Sequence, residues 1–237
     1  MRISDKAIVL QNIKHGDKKH ILKLFTKQHG TLIVAARSGS ANSKVKPGAL
    51  LPLNLVEIEL TLRQNKEVHA LSGISCYYVS AGSPGSISKL SIAQFMNEVL
   101  IKCLREQPAN GHLYEFVETC IKFLHESESD FMNLHLYFLH ELTKYLGFEP
   151  QNNFSPQRPF FDCREGRFSE ISLSIPLGLH KEESLLFFEF IGSNKLKAAL
   201  SNTQRQMILE AYLAYYKLHV PGFNDLKSLE VLREVLR

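Results

Sequence analysis

The alternation of polar and apolar residues in LVEIELTLR, residues 55–63, constrains the fold more than any other feature of the sequence. Apolar side chains occupy every second position from Val56 to Leu62, and Glu57 and Glu59 lie between them. A period of two residues is typical of a strand that buries one face and exposes the other. The segment is therefore predicted to be a half-buried β-strand with an acidic outer face.

Four more strands are predicted in the first eighty residues, so that this part of the chain is all β. The five predicted strands are residues 6–13, 20–27, 31–36, 55–63 and 67–78. Five short strands joined by hairpins and one longer loop fit a small closed barrel better than an open sheet. The five-stranded oligonucleotide-binding barrel, or OB-fold, is the commonest architecture of this kind, and we predict it for residues 1–80.

Beyond residue 80 the pattern changes from a period of two to helical spacing. The segment AGSPGSIS at 81–88 is rich in Gly, Pro and Ser and predicts a hinge. Asp130 is the predicted N-cap of the third helix, and Thr203 with Gln206 is a predicted capping box. Helices are predicted at residues 88–106, 112–125, 130–146 and 203–219, followed by a last one capped by Asn224 or Asp225.

One further β element interrupts the helical part. The segment FFDCREGRF at 160–168 predicts a β-hairpin whose turn is centred on Glu165-Gly166. The complete prediction is an α+β protein with two domains. An OB-fold barrel occupies residues 1–80, and an α-helical domain with a small hairpin insertion around 150–180 occupies residues 81–237.

The charge is divided unevenly between these two parts. Residues 1–80 hold twelve Lys and Arg against five Asp and Glu, a net charge of +7, whereas the remaining residues carry a net charge of −3. A basic domain on a mildly acidic body predicts an anionic partner for the first domain, either a nucleic acid or a membrane surface.

The basic residues of the barrel are concentrated in two loops on either side of the second and third strands. The candidate phosphate-binding residues are Lys18, Lys19, Arg37, Lys44 and Lys46. The second loop is also rich in Gly, Ser and Asn, whose N–H and hydroxyl groups can bind phosphate oxygens. Charge runs of this kind are often only solvated surface. Aromatic residues are few here (Phe25, Tyr77 and Tyr78) and more typical of core than of base stacking, so binding is predicted to be led by the backbone of the nucleic acid.

Signatures of enzymes are mostly missing, and no catalytic residue is predicted. His135 and His140 are five residues apart, which does not form the H-E-x-x-H pair of a zinc protease, and they are predicted to be core histidines. The segment GSANSK at 39–44 lacks the glycine and lysine spacing of a phosphate-binding loop.

The N-terminus lacks the apolar run of a signal peptide, and no apolar stretch is long enough to span a membrane. A cytoplasmic location is therefore expected.

Several short motifs follow one another along nearly the whole chain. They are ILKLFT at 21–26, His29-Gly30, ARSG at 36–39, Ser43-Lys44, LGFEP at 146–150 and KSLEVL at 227–232. Each motif alone is short, but their succession resembles the RecO family of bacterial recombination mediators.

This resemblance implies a function that the charge pattern alone does not specify. RecO-like proteins bind single- and double-stranded DNA, anneal complementary strands, and work with RecR to help load RecA onto DNA coated with single-strand-binding protein. The resemblance therefore identifies DNA as the partner of the basic loops. The alternative is a non-catalytic adaptor that binds RNA or a membrane surface through the same barrel.

The resemblance also carries expectations about a metal and about a partner protein. Many members of the family hold zinc with four cysteines after the LGFEP motif, but here that region offers only Cys163, so no metal or other cofactor is predicted. The family contacts the C-terminal tail of single-strand-binding protein, which is acidic and ends in an apolar residue. Candidate residues for a basic rim around such a tail are Lys102, Arg105, Lys122 and Lys144.

Overall fold

The structure of the protein is a computed structural model that describes residues 1–16, 18–38, 44–63, 66–79, 86–174 and 176–236. Gly39 and Ser43 of the motifs above, most of the GSANSK segment and residues 81–85 of the predicted hinge lie outside the described residues. The chain forms two compact units, Met1–Glu126 and Ser127–Arg237. The predicted domain boundary after residue 80 also falls in an undescribed segment and stays a prediction.

The first unit contains the predicted five-stranded barrel. Its strands are β1 (Arg2–His15), β2 (Lys19–Thr26), β3 (Gly30–Arg37), β4 (Leu55–Thr61) and β5 (Val68–Tyr78). They close in the order β1-β2-β3-β5-β4, and all neighbours are antiparallel except β3 and β5. A short 3₁₀ helix, Pro47–Leu50, precedes β4. The prediction of an α+β fold with an N-terminal barrel is confirmed.

Alternate residues of the strands fill the barrel, as the period of two predicted. Glu57 and Glu59 of β4 are exposed on the opposite face. Apolar packing of this interior is the main force that holds the strands in register, because a slip by one residue would turn the apolar side chains outward. The interior includes Ala7, Val9, Leu22, Leu24, Val34, Val56, Ile58, Leu60, Leu71 and Ile74.

Two helices, α1 (Ile87–Cys103) and α2 (Gly111–Glu126), belong to the same compact unit as the barrel. Ile8 lies opposite Phe25 on one side and Leu55 on the other, so the three side chains share the outer face. All three are fully buried. Helix α1 packs against β1, and the ring of Phe25 lies 5.9 Å from that of Tyr114 in α2. The outer face of the barrel is therefore apolar where the helices cover it.

The segment after α1 is bonded directly to the start of β3. Thr31 donates its backbone N–H to the Gln107 carbonyl over 2.9 Å and its hydroxyl to the Leu104 carbonyl over 3.2 Å. Gly30 has a φ of +70° and faces the backbone of residues 107–109 so closely that a Cβ atom would overlap it. Glycine is required here both by the left-handed backbone and by this close approach.

The described residues of the second unit form four helices and the predicted hairpin. The helices are α3 (Leu134–Leu146), α4 (Lys181–Gly192), α5 (Asn202–His219) and α6 (Ser228–Val235), and the hairpin pairs β6 (Phe160–Asp162) with β7 (Arg167–Ser169). Helix α3 is apolar along most of its length, is largely buried and contacts α5. It ends at Gly147, whose φ of +83° makes it a left-handed cap.

Three predicted helix N-caps are wrong by two or three residues. The N-cap of α3 is Asn133 rather than Asp130, because residues 131–133 form a turn before the helix. The capping box of α5 uses Ser201 and Gln204, not Thr203 and Gln206, since the same spacing of a hydroxyl and a glutamine occurs twice. Neither Asn224 nor Asp225 caps α6, whose N-cap is Lys227. Asp225 instead pairs with Lys217 over 2.7 Å.

Candidate nucleic-acid interface

The hairpin of β2 and β3 brings two of the predicted basic residues together. Lys19 and Arg37 are direct partners across these strands, and His15 of β1 lies opposite Lys19 on the other side. All three residues are exposed, whereas the next pair inward, His20 and Ala36, is buried. The period of two thus places a row of cationic or titratable side chains across three neighbouring strands at one end of the barrel.

Lys18 belongs to the same edge. Its carbonyl accepts the backbone N–H of Ser38 over 2.9 Å, which extends the pairing of β2 and β3 by one step. The Lys18 side chain is exposed, and Ser38 follows Arg37 directly. Lys18, Lys19 and Arg37, which we call the basic edge, are therefore held by regular backbone pairing.

Lys44 and Lys46 flank a buried anchor. Val45 is 4% exposed and forms a parallel bridge with Ile74 of β5, so the two lysines on either side of it lie on the surface. The strands β3 and β5 pair in parallel from Ile33↔Val68 to Ala35↔Ala70, and Val45 bridges Ile74 farther along β5. Both β3 and the segment around Val45 therefore pair with β5.

The acidic face of β4 is closer to this site than the sequence suggested. The Lys44 ammonium lies 3.7 Å from the Glu59 carboxylate, and both side chains are well exposed. Exposed pairs of this kind contribute about 0–1 kcal/mol, so a phosphate can compete with Glu59 for the lysine. Lys44 was predicted to lie in a basic loop, and its contact with the acidic face of β4 was not predicted.

Other lysines of the barrel are engaged within the first unit. Lys23 donates to the Ile101 carbonyl over 3.3 Å, and burial lowers its pKa. Lys27 pairs with Glu115 over 2.8 Å. The excess of positive charge in residues 1–80 is therefore not spread uniformly, because these two lysines bind the helices.

The aromatic residues of the barrel lie mostly in the packed face. Phe25 is fully buried. Tyr77 is partly buried, and its hydroxyl lies 2.9 Å from that of Tyr114, while the Tyr78 hydroxyl donates to Glu126 over 3.2 Å. Burial raises the pKa of Tyr77 and that of Tyr78 to about 12. These contacts favour structural roles for the three rings.

The four candidates for a partner-binding rim are divided between the two units. Lys102, Arg105 and Lys122 lie at the end of α1, just after it and in α2, whereas Lys144 lies in α3 of the second unit. Lys122 pairs with Glu118 over 2.6 Å, and its ammonium lies about 6 Å from the Tyr77 and Tyr78 rings. Lys144 pairs with Glu141 over 2.8 Å. Within the first unit, Lys102, Arg105 and Lys122 stay candidates.

The histidine pair of α3 is part of the core. His135 and His140 are 1% and 2% exposed, and the Nδ1 atom of His140 lies 2.7 Å from the Tyr212 hydroxyl. Burial lowers the pKa of each histidine to about 3, so both are neutral near pH 7.

Among the described residues, no three His, Cys, Asp or Glu side chains are grouped so that they could hold a metal ion. The described helices include none that is long and apolar enough to cross a membrane.

Two histidines close to the basic edge were not among the predicted site residues. His15 pairs with Lys19 across the turn between β1 and β2. His20 is buried directly behind Lys19. A polar residue at an inward position of a strand was the available signal, because such a residue must find partners inside the protein.

The chain is similar to known proteins along almost its entire length. Residues 1–78 match the family described as "Recombination protein O N terminal", and residues 84–155 match "Recombination protein O C terminal". Two proteins named "DNA repair protein RecO", from Flavobacterium psychrophilum and Flavobacterium johnsoniae, are 34% and 30% identical, each over 99% of both chains. A third with this name, from Phocaeicola vulgatus, is 29% identical over 97% of both chains. The chain therefore belongs to the RecO family.

Proposed function

We propose that this chain is a DNA repair protein that binds single- and double-stranded DNA through the basic edge together with Lys44 and Lys46. The observation that carries the proposal is the direct pairing of Lys19 with Arg37, which fixes two exposed cations side by side on an OB-type barrel. Membership of the RecO family supports DNA as the ligand, because its relatives are named DNA repair proteins.

The chemistry of this site is electrostatic. Cations that neutralise phosphates release counterions from the DNA, and they reduce the repulsion between two strands that are brought together. Arg37 is suited to bind a phosphate with two parallel N–H groups, whereas the lysines act as point charges. Annealing of complementary strands would follow from such neutralisation without covalent chemistry, so we propose a non-catalytic mediator.

Partner proteins complete the proposal. We propose that the protein works with RecR, contacts the acidic tail of single-strand-binding protein, and so helps load RecA. Lys102, Arg105 and Lys122 are the candidates for the tail. A pocket in the second unit has an apolar floor that includes Met207 and Ala211, but Glu183 and Glu210 line it, and their charge is unfavourable for an acidic tail.

Reversal of two charges tests the site. We expect Arg37→Glu with Lys44→Glu to weaken binding of a single-stranded oligonucleotide at least about tenfold at moderate salt, because two phosphate contacts become repulsive. The melting temperature should change little, since both side chains are exposed. Fluorescence anisotropy gives the affinity, and circular dichroism gives the melting temperature.

The matched control is Lys181→Glu with Lys197→Glu, which reverses two exposed charges in the second unit and changes the net charge equally. Its affinity should stay near that of the wild type. Equal affinity of the Arg37/Lys44 variant and the wild type would refute the assignment. Competition among single-stranded DNA, RNA and anionic vesicles distinguishes DNA binding from the alternative adaptor, and we expect DNA to compete best. Incubation of DNA with divalent metal should give no cleavage.

A further inference from the structure

A buried histidine connects the strands that carry the cations of the site. His20 is 6% exposed, and both of its ring nitrogens have partners from other parts of the barrel. Its Nδ1 atom lies 2.9 Å from Asn12 Oδ1 on β1, and its Nε2 atom lies 2.9 Å from the hydroxyl of Ser38. The imidazole therefore joins β1 to the residue that follows Arg37.

The third bond of this network fixes the direction of the others. The Asn12 amide nitrogen donates to the Leu50 carbonyl over 3.2 Å, so its oxygen is the atom that faces His20 and accepts. In the neutral imidazole, Nδ1 then carries the proton, and the Ser38 hydroxyl donates to Nε2. Each of these three hydrogen bonds then has one donor and one acceptor, as a buried polar network requires.

The network ends at Ser38 and at Leu50, which lie on either side of Lys44 and Lys46 in the sequence. Ser38 directly follows Arg37, and Leu50 ends the 3₁₀ helix that begins immediately after Lys46. At the start of this helix, the Lys46 carbonyl accepts the Ala49 N–H over 3.0 Å. His20 itself directly follows Lys19. One imidazole is thus bonded, directly or through Asn12, to the backbone segments that hold Lys19, Arg37 and Lys46.

We propose that His20 is a positioning residue for DNA binding, which sets the relative placement of Lys19, Arg37 and Lys46 without touching DNA. The proposal rests on the proposed function of these cations. Cations on backbone segments that are already fixed bind a phosphate chain with a smaller loss of conformational freedom than cations on independent loops. The network should therefore increase the number of phosphates that are bound at once.

The test is the salt dependence of DNA affinity in the full-length protein. His20→Phe keeps a planar ring at a buried position but removes both hydrogen bonds. We expect it to weaken binding of oligo-dT roughly three- to tenfold and to make the plot of log affinity against log salt shallower, by about 0.7 for each phosphate that the protein no longer neutralises. A role in stability alone would lower the active fraction and leave this slope unchanged.

Three further variants make the result specific. Ser38→Ala removes one bond of the network at its edge and should make the slope shallower by a smaller amount, whereas Ser38→Thr keeps the hydroxyl and should restore the slope. If His20→Phe does not fold, the Ser38 pair decides the question. His112→Phe makes the same substitution at an exposed position of α2 and should leave affinity and slope unchanged.

Two results would overturn the proposed role of His20, and both can be distinguished from results that reject the DNA site itself. If Arg37→Glu with Lys44→Glu weakens binding but the His20 and Ser38 variants keep the wild-type slope, His20 does not position the cations. The same conclusion follows if affinity falls with an unchanged slope. If the charge reversals have no effect, the proposed DNA site fails instead.

Discussion

Gly30 and Gly16 have similar backbone conformations but different surroundings, so a comparison of the two separates the effect of backbone strain from that of packing. Both have a positive φ, +70° and +73°, so alanine is strained at either position. At Gly16 a Cβ atom would meet nothing within 4 Å, whereas at Gly30 it would overlap the Gln107 carbonyl. An alanine therefore causes backbone strain at both positions, but it causes steric overlap only at Gly30.

We predict that Gly30→Ala destabilises the protein by about 1–3 kcal/mol or more beyond the effect of Gly16→Ala. The common strain is about 1 kcal/mol, and overpacking against a fixed backbone adds about 1–3 kcal/mol or more. Urea unfolding monitored by circular dichroism measures both free energies. Equal destabilisation of the two variants would show that residues 107–109 do not pack on β3 as described.

The exposed cations were easier to predict from the sequence than the residues whose hydrogen bonds hold the neighbouring backbone in place. Lys19 and Arg37 were correctly predicted to be exposed, but the structure places them at the ends of β2 and β3 and not in the loops to which they were assigned. The bonds of His20 to Asn12 and Ser38 were not predicted, since they depend on the exact register of the two hairpins that join β1 to β2 and β2 to β3. The pairing of Lys44 with Glu59 was missed because it joins residues that are distant in the sequence.

Among the elements, the β6–β7 hairpin is packed by aromatic side chains. The ring of Phe161 lies 5.1 Å from that of Phe168, 4.8 Å from that of Phe187 and 5.7 Å from that of Tyr215. Cys163 is buried in the turn, and burial raises the pKa of its thiol to about 12. Zinc binds thiolates, so this environment is unfavourable for a metal ligand.

We predict that the hairpin is stable without metal. Excess EDTA should leave the melting temperature unchanged, and Cys163→Ala should cost only about 1 kcal/mol. Phe161→Ala should cost about 3–5 kcal/mol, because it removes the ring shared by three aromatic contacts. Thermal melts of the three samples make the comparison. Stoichiometric zinc in the purified protein, or a fall in melting temperature with EDTA, would contradict this prediction.

Element types were easier to predict than element ends. The apolar run of α3 and the turn glycine of the hairpin identify these elements, because periodicity and backbone geometry are local properties. The start of α5 was misplaced, since two equivalent hydroxyl–glutamine pairs compete for the capping role. Which pair is used depends on where the preceding loop enters the helix.

For the whole molecule, the most informative feature is that α1 and α2 belong to the same compact unit as the barrel. The period of two was identified in β4, and a strand with that pattern leaves its other face open to water. Ile8 and Phe25 are instead buried on the outer face of the barrel. The smallest part of the chain that buries them includes α2, whereas residues 1–80 alone would expose them.

We predict that a fragment of residues 1–126 folds cooperatively and keeps the DNA affinity of the basic edge. A fragment of residues 1–79 should lack a cooperative thermal transition, because it exposes the apolar outer face of β1 and β2. Circular dichroism melts and proton–nitrogen correlation spectra distinguish a folded from a collapsed fragment. A sharp transition in the shorter fragment, at the temperature of the longer one, would contradict this expectation.

The pairing of β1 with both β2 and β4 also has a consequence during synthesis on the ribosome. The first strand meets β2 almost at once, but its partner in the pair Ile3↔Leu60 emerges more than fifty residues later. At about 5–20 residues per second, β1 waits several seconds for its second neighbour, and longer for the helices. During that interval Ile8 lacks the strand and helices that finally bury it, so the nascent chain exposes this apolar side chain until they have been synthesised.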